Sequence, residues 1–202
     1  ANGNAADGIY IENYDTDYAR AVTVRNSTAS SNGDYGIYVV SVGAITLSNV
    51  IASGNVGIGA YLNSANLGSL LQGITVLKST FDGNQTGLWV ISYRTITFTS
   101  INANGNVSSG IMADNSQSDL YSPIVVNGIS QVNRNGDDPS NLSKGLWLAS
   151  SGAITVSGVS ASWNGIGLFV ENPYRPSAVT ISNSQVDNSL SYGIRTGRDE
   201  TL

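Results

Sequence analysis

The sequence predicts an all-β solenoid in which each repeat of the chain forms one coil of short parallel strands. Two repeated patterns and the composition support this fold. A Gly–aliphatic–aromatic–aliphatic tetrad returns along the whole chain, and a strand of the form apolar–Thr–apolar, with Val125 in place of Thr in one repeat, stands ahead of each tetrad after the first. Only 11% of the residues are charged, which disfavours long exposed helices. The tetrads begin at Gly8, Gly36, Gly59, Gly87, Gly145 and Gly167, with weaker copies at Gly110 and Gly193.

Each repeat also contains a second strand and, between it and the next tetrad, a short third segment that ends in an Asn turn. Repeats of about 20 to 50 residues are typical of solenoids, and these leave no room for a helix. The repeats run through residues 1–202, so we predict one domain of about eight coils with three short strands each. The second strands begin at Val22, Ile45, Ile74, Ile96, Ile124, Ile154 and Val179, and the Asn turns hold Asn32, Asn55, Asn84, Asn106, Asn135 and Asn164.

Alternation along each tetrad assigns its side chains to the two faces of the strand. The aliphatic residues, for example Ile37 and Val39, are expected to point inward. The Asn side chains are expected to form an internal ladder, each amide bonding the same group one coil away. Gly and Asn are expected to supply the positive φ values of the corners. The third residue of the tetrad then faces outward, where the core does not need it.

The repeated spacing Asn-x-x-(x)-Gly-Ile-x-Val resembles that of single-stranded right-handed parallel β-helices of the pectate-lyase-like superfamily, in the broad group of bacterial β-helix repeat surface proteins. The resemblance covers essentially the whole chain and implies this fold. It implies little about chemistry, because the superfamily spans polysaccharide lyases, glycoside hydrolases, epimerases, adhesins, phage spikes and ice-binding proteins.

Composition excludes several classes of function. The chain has no Cys and no His, which removes disulfides, thiolate metal sites, the Ser-His-Asp mechanism and most transition-metal sites. We therefore expect no metal and no cofactor. A net charge of -5 with nine scattered Lys and Arg argues against nucleic acid as a partner. No apolar run approaches the roughly 20 residues of a membrane span.

The outward residues of the tetrads form one predicted row, with neighbours about 4.8 Å apart. Sugar rings or protein partners use such aromatic surfaces, whereas in-register aromatics also stabilise a sheet without any ligand. Three insertions, 63–72, 114–122 and 172–177, leave the same edge of this sheet and could form one wall of a groove. The candidate ligand-binding residues are Tyr61, Trp89, Met112, Trp147 and Phe169 in the row, with Tyr121 and Tyr174 on the insertions.

Two acidic residues are candidates for a catalytic pair. Asp114 and Glu171 share one slot just past the tetrad and are two coils apart, so about 9 to 10 Å, at the long end for an inverting glycosidase. Arg94 and Arg175 are near in sequence and could bind a uronate. Ala149 occupies the slot between the two acids, whereas enzymes of this superfamily usually carry several Asp residues on adjacent coils.

The sequence therefore leaves two functions open. The first is a non-catalytic, structural or adhesive module that is extracellular or at the cell surface. It would be a stalk, surface-layer or filament subunit that associates with copies of itself, end to end or laterally. Such a module could also bind polysaccharide along the aromatic row. The alternative is a polysaccharide-degrading enzyme, a hydrolase or lyase that uses Asp114 and Glu171.

Overall fold

In the computed structural model the chain winds back and forth between two parallel β-sheets, which form the body of the protein. The structure describes residues 1–14, 20–65, 72–136, 143–174 and 177–197. Among the described residues there is no helix, and so none long and apolar enough to cross a membrane. In chain order the strands are β1 Ile9–Asn13, β2 Val22–Thr28, β3 Ile37–Ser41, β4 Ile45–Ile51, β5 Ile58–Asn63, β6 Ile74–Thr80, β7 Thr86–Ile91, β8 Ile96–Asn102, β9 Ile111–Asn115, β10 Ile124–Asn127, β11 Ser130–Gln131, β12 Lys144–Ser150, β13 Ile154–Ser157, β14 Val159–Ser160, β15 Ile166–Glu171, β16 Val179–Ser182 and β17 Tyr192–Thr196.

Successive long strands alternate between the two sheets, so each sheet gains one strand per coil. The first sheet has the order β1-β3-β5-β7-β9-β12-β15-β17, and the second has β2-β4-β6-β8-β10-β13-β16. All pairs are parallel, which confirms the predicted fold class. The predicted eight coils are slightly too many, because the eight strands of the first sheet face only seven main strands in the second, whose other two strands, β11 and β14, have two residues each.

The core lies between the sheets and is built from the inward aliphatic residues. Ile37, Val39, Leu88 and Val90 are fully buried, as alternation along the tetrads predicts. Their register places the same position of each coil in one column, so every inward side chain packs against its equivalent above and below.

The predicted third strand is mostly a continuation of the second-sheet strand around a sharp bend. One residue with a left-handed conformation makes this bend, for example Asn26 with φ 49° and Asn49 with φ 55°. Beyond the bend, only the two-residue strands β11 and β14 are separate elements. Asn adopts positive φ more readily than most residues, which accounts for its frequency at this bend.

The predicted Asn ladder is present and buried. The backbone N–H and the side-chain Nδ2 of Asn32 both donate to Oδ1 of Asn55, each at 2.9 Å. The pattern repeats on every coil along the ladder, so each buried amide finds its partner one coil away. The members are Asn4, Asn32, Asn55, Asn84, Asn106, Asn135 and Asn164.

The tetrad glycines are required by this ladder rather than by their own backbone conformation. A Cβ on Gly59 would lie 2.6 Å from Nδ2 of Asn84 and 2.5 Å from the carbonyl oxygen of Gly87. Positive φ is found instead at corner glycines such as Gly54, with φ +67°. The ladder amide therefore packs directly on the tetrad backbone, and no side chain fits between them.

Candidate functional site

The predicted row is present on the outer face of the first sheet, and we call its seven members the aromatic row. Each member is the direct register partner of the next across adjacent strands, so the row crosses the strands of seven coils. The members are Tyr10, Tyr38, Tyr61, Trp89, Met112, Trp147 and Phe169, and Arg195 follows them in the same register.

The first three rings of the row stack on one another. Tyr10 and Tyr38 have ring centroids 4.8 Å apart and an interplanar angle of 5°. Tyr38 and Tyr61 follow at 5.2 Å and 20°. Because these ring faces cover each other, this half of the row stabilises the sheet and presents ring edges and hydroxyl groups outward.

The carboxylate of Glu12 lies beside the first ring of this stack. The hydroxyl groups of Tyr10 and Tyr14 both donate to Oε1 of Glu12, the second at 2.7 Å. These two hydrogen bonds hold the pKa of Glu12 below its usual range. The same bonds, with smaller contributions from desolvation and the Glu12 charge, raise the pKa of Tyr10 and of Tyr14 to about 12.

The middle of the row has a different geometry. The ring of Trp89 stands at 89° to that of Tyr61, with centroids 5.7 Å apart, so it does not continue the stack. Trp89, Met112 and Trp147 are half-buried. The indole N–H of Trp147 donates to Oε1 of the buried Glu171 at 2.8 Å, which fixes the orientation of that ring.

Phe169 corrects the prediction of an exposed ring at the end of the row. It is fully buried. The Lys144 Nζ lies 5.5 Å from the ring centroid, and the Arg195 guanidinium carbon lies 5.1 Å from it. These cationic side chains sit against the ring, as the negative face of an aromatic favours. Alternation correctly placed Phe169 on the outer face, but it could not show that neighbouring coils cover it.

Asp114 and Glu171 occupy equivalent positions just past the tetrad, in the predicted register. Asp114 pairs with Ala149, which pairs in turn with Glu171, so the two carboxylates are on strands separated by one other strand. Oδ1 of Asp114 accepts the backbone N–H of Ser116 at 2.8 Å. Each carboxylate is thus held by a local donor. A catalytic role for either remains a prediction.

Two of the predicted insertions meet beside the row. Nε2 of Gln117 donates to the hydroxyl of Tyr174 at 2.9 Å, joining the loop 114–122 to the loop after β15. Tyr121 and Tyr174 are both exposed. A hollow of about 450 Å³ lies against this wall. It is lined by Tyr93, Gln117, Ser118, Asp119 and Leu120.

Of the two predicted arginines, only Arg94 is among the described residues. The backbone carbonyl of Arg94 accepts a hydrogen bond from Nδ2 of Asn115 at 3.1 Å, which ties its turn to the base of the loop 114–122. Arg175 lies outside the described residues, as do residues 66–71 of the insertion 63–72.

Sequence reasoning missed Trp163. This side chain is 59% exposed and lies at the corner where the chain enters the first sheet, not in the aromatic row. The available signal was its position directly before a ladder Asn, where Gly54, Gly83 and Gly105 stand in other coils.

Comparison with known proteins supports the fold. A solved structure, the A-module of mannuronan C-5 epimerase AlgE4 from Azotobacter vinelandii, superposes with a TM-score of 0.53 at 14% identity, and this likeness concerns the fold alone. The match covers 88% of this chain and 57% of the module, so the chain corresponds to little more than half of it. No curated protein sequence matches. The family model of the right-handed β-helix region matches residues 2–201, and the chain therefore belongs to the right-handed β-helix family.

Proposed function

We propose that the protein is a non-catalytic, extracellular, adhesive β-helix module that binds a neutral polysaccharide along the middle of the aromatic row. The observation that carries this proposal is the set Trp89, Met112 and Trp147, which are partly exposed and in register on three adjacent strands.

The three side chains offer a continuous apolar strip across the strands. Neighbouring strands are about 4.8 Å apart, so a glycan laid across them would meet one of these side chains on each strand. Aromatic surfaces attract the C–H faces of sugar rings, and the thioether of Met112 adapts to irregular shapes. Stacking covers the ring faces that Tyr10, Tyr38 and Tyr61 turn toward one another, so the tyrosines of the first coils offer mainly ring edges and hydroxyl groups, apart from the exposed Tyr10 at the end of the stack.

Polar groups border the strip on the side of the inserted loops. Asp114 follows Met112 by two residues on β9, and Glu171 accepts the hydrogen bond of the Trp147 indole. Carboxylates accept hydrogen bonds from sugar hydroxyl groups and repel anionic groups. The charge at this border is the reason for choosing a neutral glycan.

The surface is preformed, which favours binding. The parallel coils hold the strip flat, the bond to Glu171 fixes Trp147, and the bond between Gln117 and Tyr174 ties the bordering loops together. Ordering these groups on binding would therefore cost little conformational entropy.

Affinity electrophoresis in gels containing neutral β-glucan, xylan or mannan tests the proposal. We expect wild type to be retarded by at least one polymer. Trp89→Ala and Trp147→Ala should each weaken retention by about tenfold or more. Trp89→Phe, which keeps a flat but smaller ring, should weaken retention less than Trp89→Ala does, and Thr155→Ala, on the opposite sheet, is the matched control and should bind as wild type does. No retention of wild type, or unchanged retention of both Trp→Ala variants, would overturn the proposal.

A polysaccharide-degrading enzyme is the second candidate, and the shared slot of Asp114 and Glu171 favours it. Their separation of two strands, about 9 to 10 Å, suits an inverting hydrolase with water between the carboxyl groups. Release of reducing ends or of unsaturated uronate from a panel of polysaccharides is the measurement. Turnover that disappears in Asp114→Asn and Glu171→Gln would replace the binding proposal with this one.

Association of the module with copies of itself is the last part of the proposal. The terminal strands β1 and β17 have a partner on one side only within the described residues, and Tyr192 and Ile194 on β17 are about half exposed. Unpaired strand edges favour pairing with another chain. End-to-end pairing of β17 with β1 of the next copy would cover both edges, and light scattering over a concentration series measures it.

A further inference from the structure

Arg134 and Trp163 occupy adjacent coils at one corner, where the chain turns into the first sheet. Backbone hydrogen bonds show that this corner is the same in each coil. The N–H of Arg134 donates to the carbonyl of Ser162 and that of Trp163 to the carbonyl of Asp187, as the N–H of Gly105 donates to the carbonyl of Asn133.

Both residues have backbone conformations that favour glycine. The φ values are 55° for Arg134 and 61° for Trp163, and the glycines of earlier coils at this corner have nearly the same values. Bulky side chains are rare in this region because the Cβ crowds the backbone. A Cβ added to Gly105 would meet nothing within 4 Å, so side chains at this corner point into open space. The fold itself therefore does not explain a Trp and an Arg here.

Two hollows lie beside these side chains, each with a volume of about 360 Å³, and Arg134 and Trp163 line both. Trp163 is 59% exposed, so its ring is open to solvent. Of the described residues, the first hollow is also lined by Gly136, Asn188 and Leu190, and the second by Asn104, Gln131, Asn133, Ser160 and Ser162.

These groups have complementary chemistry. An open indole face attracts the C–H face of a sugar ring. A guanidinium binds carboxylate and sulfate groups with two parallel hydrogen bonds. Within the described part of the chain, the Arg134 side chain makes no ion pair or hydrogen bond. The amides and hydroxyl groups of the second hollow supply donors and acceptors for sugar hydroxyl groups.

We propose that this corner binds a sugar residue that carries an anionic group, with Trp163 stacked on the ring and Arg134 paired with the charge. The site does not depend on the binding surface proposed above. The corner is at the edge where the chain enters the first sheet, whereas the inserted loops follow the edge where the chain leaves it. The two surfaces also differ in charge, so they select different glycans.

Affinity electrophoresis with polygalacturonate, dextran sulfate and neutral dextran tests this site. Trp163→Gly and Arg134→Gly introduce the residue that other coils carry at this corner, so both variants should fold. Lys78→Gly is the matched control. It also removes one exposed cation from a residue with a left-handed conformation, φ 47°, but at the bend of the second-sheet strand β6, away from the proposed site.

We expect wild type to be retarded by at least one anionic polymer and not by dextran, and the responding polymer identifies carboxylate or sulfate as the charged group. Trp163→Gly and Arg134→Gly should each weaken this retention by about tenfold, and Lys78→Gly should leave it unchanged. Retention that Arg134→Gly and Lys78→Gly reduce equally, with no effect of Trp163→Gly, would show mere charge attraction and overturn the proposal. No retention by either anionic polymer would overturn it too. Trp89→Ala should keep this binding, so failure of either proposed surface is visible separately.

Discussion

Replacing Gly59 by Ala should destabilise the protein strongly, although it adds one methyl group. The added Cβ would lie 2.5 Å from the carbonyl oxygen of Gly87, 2.6 Å from Nδ2 of Asn84 and 2.8 Å from the carbonyl oxygen of Ala52. Two of these three atoms are backbone, so they can move only if whole coils separate. The third belongs to the buried ladder, whose hydrogen bonds would lengthen or break.

The magnitude follows from these contacts. Forcing a methyl group into a packed interior costs about 1–3 kcal/mol, and a buried polar group left without its partner costs about 1–3 kcal/mol more. We therefore expect Gly59→Ala to lose about 2–6 kcal/mol, a large part of the roughly 5–15 kcal/mol that stabilises a typical domain.

Equilibrium unfolding in urea, followed by far-ultraviolet circular dichroism, measures this loss as a lower midpoint. Gly193→Ala is the matched control, because Gly193 holds the same tetrad position and its added Cβ would come no nearer than 3.7 Å to any neighbour. The control should change stability by less than about 0.5 kcal/mol. Equal midpoints for the two variants would refute the steric explanation of the tetrad glycine.

Three further predictions follow. Asn84→Ala removes the side-chain oxygen that accepts two ladder hydrogen bonds from Asn55, so it should lower the free energy of unfolding by about 2–4 kcal/mol. Asn49→Gly is the control, because the hydrogen bond between Asn49 and Asn26 is exposed. It should lower the free energy of unfolding by less than about 1 kcal/mol in the same urea assay. The raised pKa of Tyr10, about 12, means that its contribution to stability is complete below pH 10 and is lost as pH rises through 12, and Glu12→Gln should bring its ionisation, read by phenolate absorbance, to lower pH. The lowered pKa of Glu12 has the opposite sign, since its contribution is lost as pH falls through the folded-state pKa. Light scattering at rising concentration should show particles larger than one chain, and a strictly monomeric particle would contradict end-to-end association.

Much of the candidate site could be predicted because it depends on the repeat. Because the strands of successive coils align in register, residues at the same distance from the tetrad Gly lie side by side. The aromatic row and the shared position of Asp114 and Glu171 can therefore be predicted by counting residues from each tetrad Gly. What covers each side chain depends on neighbouring coils and their insertions. The burial of Phe169 by Lys144 and Arg195 is of this kind.

The sequence by itself determined the parallel solenoid, its inward aliphatic columns and the Asn ladder, because each needs only the local period of apolar residues, Gly and Asn. Only the tertiary structure decided which outer side chains remain open. It turned the rings of Tyr10 and Tyr38 onto each other, covered Phe169 and left Trp163 exposed. The physical reason is that exposure depends on which side chains the neighbouring coils bring into contact, whereas the repeat records only the positions that every coil shares.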